Sequence, residues 1–93
     1  MKEEVWYYVY IIECKDLTLY TGWTTNLEKR LASHNCGRGS KYTRIRTPVV
    51  IRYSERFTTK SEAMKREYQI KQYTRLEKKR LIATATENST SNA

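Results

Sequence analysis

Five side chains in this sequence are of types that move protons or hold phosphate: Tyr10, Tyr20, Arg30, His34 and Glu67. Tyr10 and Tyr20 flank a short polar break, Lys15-Asp16-Leu17. If those three residues make the turn of a hairpin, Cys14 faces Thr18 and Tyr10 faces Gly22. Tyr10 and Tyr20 then share one sheet face as diagonal neighbours, within reach of long side chains. Gly22 leaves open space beside Tyr10. Two core tyrosines on a buried strand would satisfy the same spacing, because aromatics favour strands. Arg30 and His34 are four residues apart and share a helix face, beside a stripe made by Leu27 and Leu31. Arginine there offers a fork of donors suited to phosphate; a solvated helix face is the alternative. Ala63, Glu67 and Ile70 also fall on one helical face. A carboxylate inside an apolar stripe is costly to bury without a partner or a metal, and a salt bridge to a nearby cation would serve equally well.

Residues 6–14 are a continuous apolar run (Trp6, Tyr7, Tyr8, Val9, Tyr10, Ile11, Ile12) with both alternating faces apolar. Such a strand is central and covered on two sides. Residues 18–23 complete the hairpin. Thr25-Asn26-Leu27-Glu28 has capping-box spacing and opens a helix over residues 26–34, which stops near Asn35 and Gly37. Residues 36–48 read as a loop. Residues 49–57 alternate as a third strand, with Val49, Ile51 and Tyr53 on one side. Thr59 and Thr74 begin two further capping boxes, for helices reaching about Gln72 and Ala83. The predicted fold is α+β: a single small domain over residues 1–83, with a three-stranded, mainly antiparallel sheet flanked by three helices in the order β-β-α-β-α-α. Residues 84–93, small and polar, are expected to form a disordered tail.

The chain has 93 residues, 18 of them basic and 10 acidic, for a net charge of +8. Phosphate contacts supply most non-specific affinity for nucleic acid, so a polyanion is the first partner to consider. Arg38, Lys41, Arg44 and Arg46 concentrate charge in the loop. Cys14 and Cys36 lack metal-site spacing and are too few for a disulfide scaffold, which points to reduced thiols in a cytoplasmic protein. No apolar run approaches membrane-span length. A single histidine excludes sites built on several, and no glycine-rich phosphate loop or Ser-His-Asp set is present.

What joins these signals is a family pattern. Val9-Tyr10-Ile11 and Tyr20-Thr21-Gly22 resemble the two motifs of the GIY-YIG nucleases. The run Tyr20-Thr21-Gly22-Trp23-Thr24-Thr25-Asn26-Leu27, then Arg30-Leu31 and His34, resembles the rest of that signature. Glu67 stands where the family carries its metal-binding acid. Gly39-Ser40-Lys41-Tyr42-Thr43 with Pro48 is similar to the small, stand-alone, uncharacterised members. The likeness spans residues 5–83. Tyr8 replaces the usual glycine of the first motif, Trp23 stands where some members have Lys, and Glu77-Lys78-Lys79-Arg80 lacks the Asn many members carry there.

The resemblance implies hydrolysis of a phosphodiester with one divalent metal, Mg²⁺ (or Mn²⁺), and Glu67 as its sole protein ligand. Tyr10 would position or deprotonate the attacking water, and Tyr20 would complete the proton network. Arg30 would hold the phosphate, and His34 would accept a proton near Tyr10. Arg38, Lys41, Arg44 and Arg46 would contact nucleic-acid backbone, DNA in the first instance, without reading sequence. A protein partner could supply specificity. The alternative is a nucleic-acid-binding module of the same fold that lost turnover, which the missing Asn favours. A third class is an adaptor whose basic face binds an acidic protein.

Overall fold

The computed structural model describes residues 5–91, with side chains as far as residue 85. It contains strands β1 (Tyr7–Glu13), β2 (Leu19–Thr24) and β3 (Val50–Phe57) and helices α1 (Leu27–Asn35), α2 (Lys41–Arg44), α3 (Lys60–Lys71) and α4 (Arg75–Ser91). The strands form one antiparallel sheet in the order β2-β1-β3. The run that is apolar on both faces is therefore the central strand.

Each face of β1 has its own core. Val9 and Ile11 pack beneath α3 and α4, with Ala63, Ile70, Leu81 and Ile82. Tyr10 and Ile12 face the other way and are covered by α1 through Leu27 and Leu31. Alternation along a strand thus sends Tyr10 to the α1 side of the sheet.

The β1–β2 register pairs Tyr10 with Gly22 and Ile12 with Tyr20, as the three-residue turn predicts. Leu17 closes that turn with φ 69, and the Cys14 amide donates to the Thr18 carbonyl at 2.9 Å.

The β1–β3 register corrects one expectation. Ile11 faces Tyr53 but Ile12 faces Ile51, so Arg52 is an extra residue on β3. A bulge of one residue switches the face of everything beyond it. Ile51 therefore packs with Val49 against Tyr10 and Ile12, while Tyr53 packs against Val9 and Ile11. Val49, Ile51 and Tyr53 do not share one side.

Three further differences concern helix ends. Asn26, not Thr25, caps α1: its side chain accepts from the Lys29 amide at 3.0 Å, and Thr24 Oγ1 in turn accepts from the Asn26 amide. Asparagine is among the strongest capping residues, which explains the shift by one. Residues 36–48 contain a helical turn, α2, because Ser40 caps it by accepting from the Thr43 amide. The last helix continues past Ala83 to Ser91. No Gly or Pro interrupts residues 84–91, and Thr84 returns its hydroxyl to the Arg80 carbonyl within the helix. The helix thus runs into the stretch expected to be a tail, whose last two residues lie outside the described range. Thr59 and Thr74 cap α3 and α4 as expected.

Candidate active site

The core of the site is a chain of hydrogen bonds buried between β1, α1 and α2. Tyr10 rises from the central strand, and its hydroxyl lies 3.0 Å from Nε2 of His34 and 3.3 Å from Nε of Arg30. The far nitrogen of His34, Nδ1, lies 2.8 Å from Oγ1 of Thr43. Arginine has donors only, so the Tyr10 oxygen accepts from Arg30. In the His34 tautomer that carries its proton on Nδ1, that proton goes to Thr43 and Nε2 accepts from the Tyr10 hydroxyl. In that tautomer the four groups form one continuous chain of hydrogen bonds.

Electrostatics supports that order. His34 is fully buried. Burial first, and the Arg30 charge second, push its pKa down to about 4, so the ring is neutral at pH 7. Burial raises the pKa of Tyr10, and the hydrogen bond and charge of Arg30 only partly offset it. Tyr10 is therefore a neutral phenol at pH 7, hydrogen-bonded to a neutral His34.

Two glycines make the room this needs. A Cβ on Gly22 would sit 2.5 Å from the Tyr10 hydroxyl, and one on Gly39 would collide with the His34 ring. Arg30 is anchored to the same loop, donating from Nη2 to the Gly39 carbonyl at 3.1 Å. Below the cluster, Ile12, Leu27, Leu31 and Ile51 leave no water-sized space. Arg30 also lines an open cleft of about 210 Å³ with Thr24, Thr25, Asn26, Lys29 and Ser33, so one side of the cluster is reachable from solvent.

Tyr20 joins through its ring. Its centroid is 5.6 Å from that of His34, in an edge arrangement, and 5.8 Å from that of Tyr42, on which it stacks. Arg46 stacks on Tyr42 at 4.1 Å, donates to the Tyr42 carbonyl at 2.7 Å and pairs with Asp16 at 3.0 Å. Arg46 is therefore committed to holding the loop, whereas Arg38, Lys41 and Arg44 stand exposed.

Glu67 lies apart from this cluster. It sits on α3, which packs on the opposite sheet face, and its nearest ionic partner is Lys71 at 3.5 Å. It makes no hydrogen bond to the tyrosines, yet its charge reaches Tyr10 and helps hold that pKa up. Four of the five candidate residues converge beneath α1, and the fifth, Glu67, comes from α3 and acts on Tyr10 through its charge. Glu67 keeps 18% of its side chain exposed. Among the described residues no three His, Cys, Asp or Glu side chains gather as a closed metal site requires. A single carboxylate that keeps part of its surface in solvent fits a hard cation that keeps most of its water.

Sequence reasoning missed three contributors: Thr43, Gly39 and Tyr42. The Ser40-x-x-Thr43 cap was the available signal, because it predicts the turn that carries Thr43 to His34. Asn35 was missed as well. Its amide clamps Val49 by two hydrogen bonds, 2.7 and 3.1 Å, and so closes the loop back onto the sheet.

A sheet with paired tyrosines on one face, an arginine and histidine one helical turn apart and a carboxylate on a later helix define a GIY-YIG catalytic domain, whose family model matches residues 6–80. The chain belongs to that family. It is 58% identical over 76 residues to the UPF0213 protein SH2523 of Staphylococcus haemolyticus, covering 82% of this chain and 93% of the relative. It is also 58% identical over 77 residues to the UPF0213 protein CPE1444 of Clostridium perfringens, covering 83% of each. Two solution NMR structures share the fold. The protein EF2693 from E. faecalis superposes with a TM-score of 0.61 at 40% identity over 92% of both chains. The UPF0213 protein BH0048 from Bacillus halodurans superposes with a TM-score of 0.56 at 43% identity, over 85% of this chain and 84% of that one. No helix of the described residues is long and apolar enough to cross a membrane.

Proposed function

We propose that this protein hydrolyses a phosphodiester bond of nucleic acid, DNA in the first instance, with the help of a divalent cation. The observation that carries the reading is the directed relay Arg30–Tyr10–His34–Thr43. A purely structural tyrosine needs one partner. Tyr10 has a cation aimed at its oxygen and a neutral imidazole within hydrogen-bond distance of the same atom. The family, nuclease-type by its domain, supplies the reaction class.

Glu67 is the residue that would hold Mg²⁺ or Mn²⁺, and the cation would stabilise charge on the leaving oxygen. The chain's own residues do the rest. Arg30 reaches the open cleft with its guanidinium and binds a phosphate oxygen there, strengthening its hold as negative charge develops. Tyr10, held between Arg30 and His34, positions the attacking water through its hydroxyl. Thr43 keeps His34 in the tautomer that can accept, so the imidazole does not have to turn over before each cycle. Tyr20 packs edge-on against the ring and keeps bulk water from it. Arg38, Lys41 and Arg44, exposed on the loop, bind polynucleotide backbone.

A second reading, a binding module without turnover, draws on the Glu67–Lys71 pair: a carboxylate already satisfied by a lysine has less need of a metal. Incubation of labelled single-stranded, duplex and branched DNA and RNA with Mg²⁺, Mn²⁺ or chelator separates the two. Metal-dependent cleavage supports hydrolysis; salt-sensitive binding without cleavage under any metal supports the module.

A further inference from the structure

A second cleft, of about 220 Å³, lies between the start of β2 and the α3–α4 junction. Thr18, Leu19, Tyr42, Tyr73, Arg75 and Lys78 line it. We propose that this cleft is a second phosphate subsite, in which Arg75 and Lys78 bind a backbone phosphate of the same polynucleotide strand, away from the phosphate held by Arg30. The inference rests on the hydrolase reading and deepens it, because it gives the bound strand a direction across the protein.

Three observations support it. First, the cleft is contiguous with the relay. Tyr42 forms its wall and stacks on Tyr20, which contacts His34 in turn. Second, its charge is uncompensated. Two cations line it, and among the described residues no carboxylate lines it or pairs with either cation. Third, Lys78 is half-buried, and burial together with the charge of Lys71 lowers its pKa. A lysine held among like charges and partly out of water is stabilised by a bound anion. Lys71, the cation whose charge acts on Lys78, is also the partner of Glu67.

Geometry assigns the two cations different freedom. Arg75 donates from Nη1 to the Leu17 carbonyl at 2.7 Å and is fixed by it. This bond ties the hairpin turn to α4 and holds the cleft open at a set width. Lys78 supplies a compact charge on a flexible stem. Tyr42 lies between Tyr20 and Arg46 as a stiff divider rather than a free stacking platform. The cleft therefore selects for phosphate and sugar, not for a particular base. Both cations are positioning residues.

The test compares wild type with Lys78→Gln, and with Lys78→Met, which keeps the apolar stem should the amide disturb packing. Binding to a labelled 12-nucleotide DNA is measured across a salt series in Ca²⁺, and cleavage is measured in Mg²⁺. The proposal expects Kd and KM to rise roughly 5- to 20-fold and the salt slope to fall by about one, with kcat unchanged. It also expects a dinucleotide, too short to reach both phosphates, to be handled alike by wild type and variant. Unchanged affinity and slope in folded variants overturn the subsite and leave the hydrolase reading in place. Wild-type protein that shows no salt-dependent binding overturns both.

Discussion

Arg30 points its Nε at the same Tyr10 oxygen that lies 3.0 Å from His34 Nε2. The two contacts are not interchangeable. Arginine can only donate, so the phenol oxygen accepts on that side, and a His34 protonated on Nδ1 leaves Nε2 to accept the phenol's proton on the other. His34 has to remain neutral for this to hold, and its burial ensures that it does. The relay is therefore a structural device with a pH range, which makes it open to measurement.

Stability should report that range. The folded pKa of His34 is about 4 against 6.5 for an ordinary histidine. Between those values the unfolded chain binds more protons, so stability rises with pH from 4 to 6.5 and the His34 contribution is flat above. The loss on acidification should be on the order of 2–3 kcal/mol by pH 4.5. Urea melts of wild type and His34→Gln at pH 4.5 and 7 measure it. The variant should lose that share of the pH dependence; identical dependence in both proteins would mean that His34 is not held neutral.

Replacing Arg30 should affect rate more than binding. Arg30→Ala is expected to lower kcat about 10²- to 10³-fold, as loss of one transition-state donor typically does, with KM changed several-fold at most. Arg30→Lys should recover little of this. A single ammonium cannot reach both the Tyr10 oxygen and the Gly39 carbonyl that the two guanidinium nitrogens bind. Equal effects on kcat and on Kd would make Arg30 a simple backbone contact.

Much of this was legible in the sequence, and the exceptions share a cause. The hairpin register followed from alternation and turn length, so the facing of Tyr10 and Gly22 was available at once. Arg30 and His34 followed from helical period alone. What failed depended on single residues: the bulge at Arg52 inside β3, the cap at Asn26, the turn at Ser40. Each is a competition between local hydrogen-bond options, which a periodic pattern does not decide. Glu67 was the largest gap. Spacing placed it in an apolar stripe, but which sheet face that stripe covers is a question of topology. The bland expectation of an ion pair was met in part, by Lys71.

The glycines give a steric check. Gly39→Ala should push the His34 ring out of line with Tyr10, and Gly22→Ala should displace the Tyr10 hydroxyl. Both should cut kcat at least tenfold, and NMR should show the His34 ring resonances moving in each. Activity retained in either variant would show that the relay tolerates displacement.

A different carboxylate separates structure from chemistry. Glu55 on β3 accepts three contacts from Arg66 at 2.9–3.0 Å and also the Tyr53 hydroxyl. That cluster is partly buried, so Arg66→Ala should cost about 1–3 kcal/mol. Glu67→Gln removes only an i,i+4 pair whose Lys71 end is half exposed, and should cost less than about 0.5 kcal/mol. Thermal melts of both variants rank them. A larger loss from Glu67→Gln would identify Glu67 as structural.

The central claim is that Glu67 serves a metal while the buried relay serves the phosphodiester. The most direct measurement is cleavage of a labelled polynucleotide by wild type and by Glu67→Gln across a Mg²⁺ titration, on protein shown by its melting curve to be folded. The account predicts cleavage by wild type that saturates with Mg²⁺ and disappears with chelator. It predicts that Glu67→Gln binds the polynucleotide at least as tightly, because a negative charge has been removed, yet cleaves it at least 10²-fold more slowly at any Mg²⁺ concentration. Cleavage by Glu67→Gln with the wild-type rate and metal dependence, or wild-type protein that binds every polynucleotide offered and cleaves none, would contradict it.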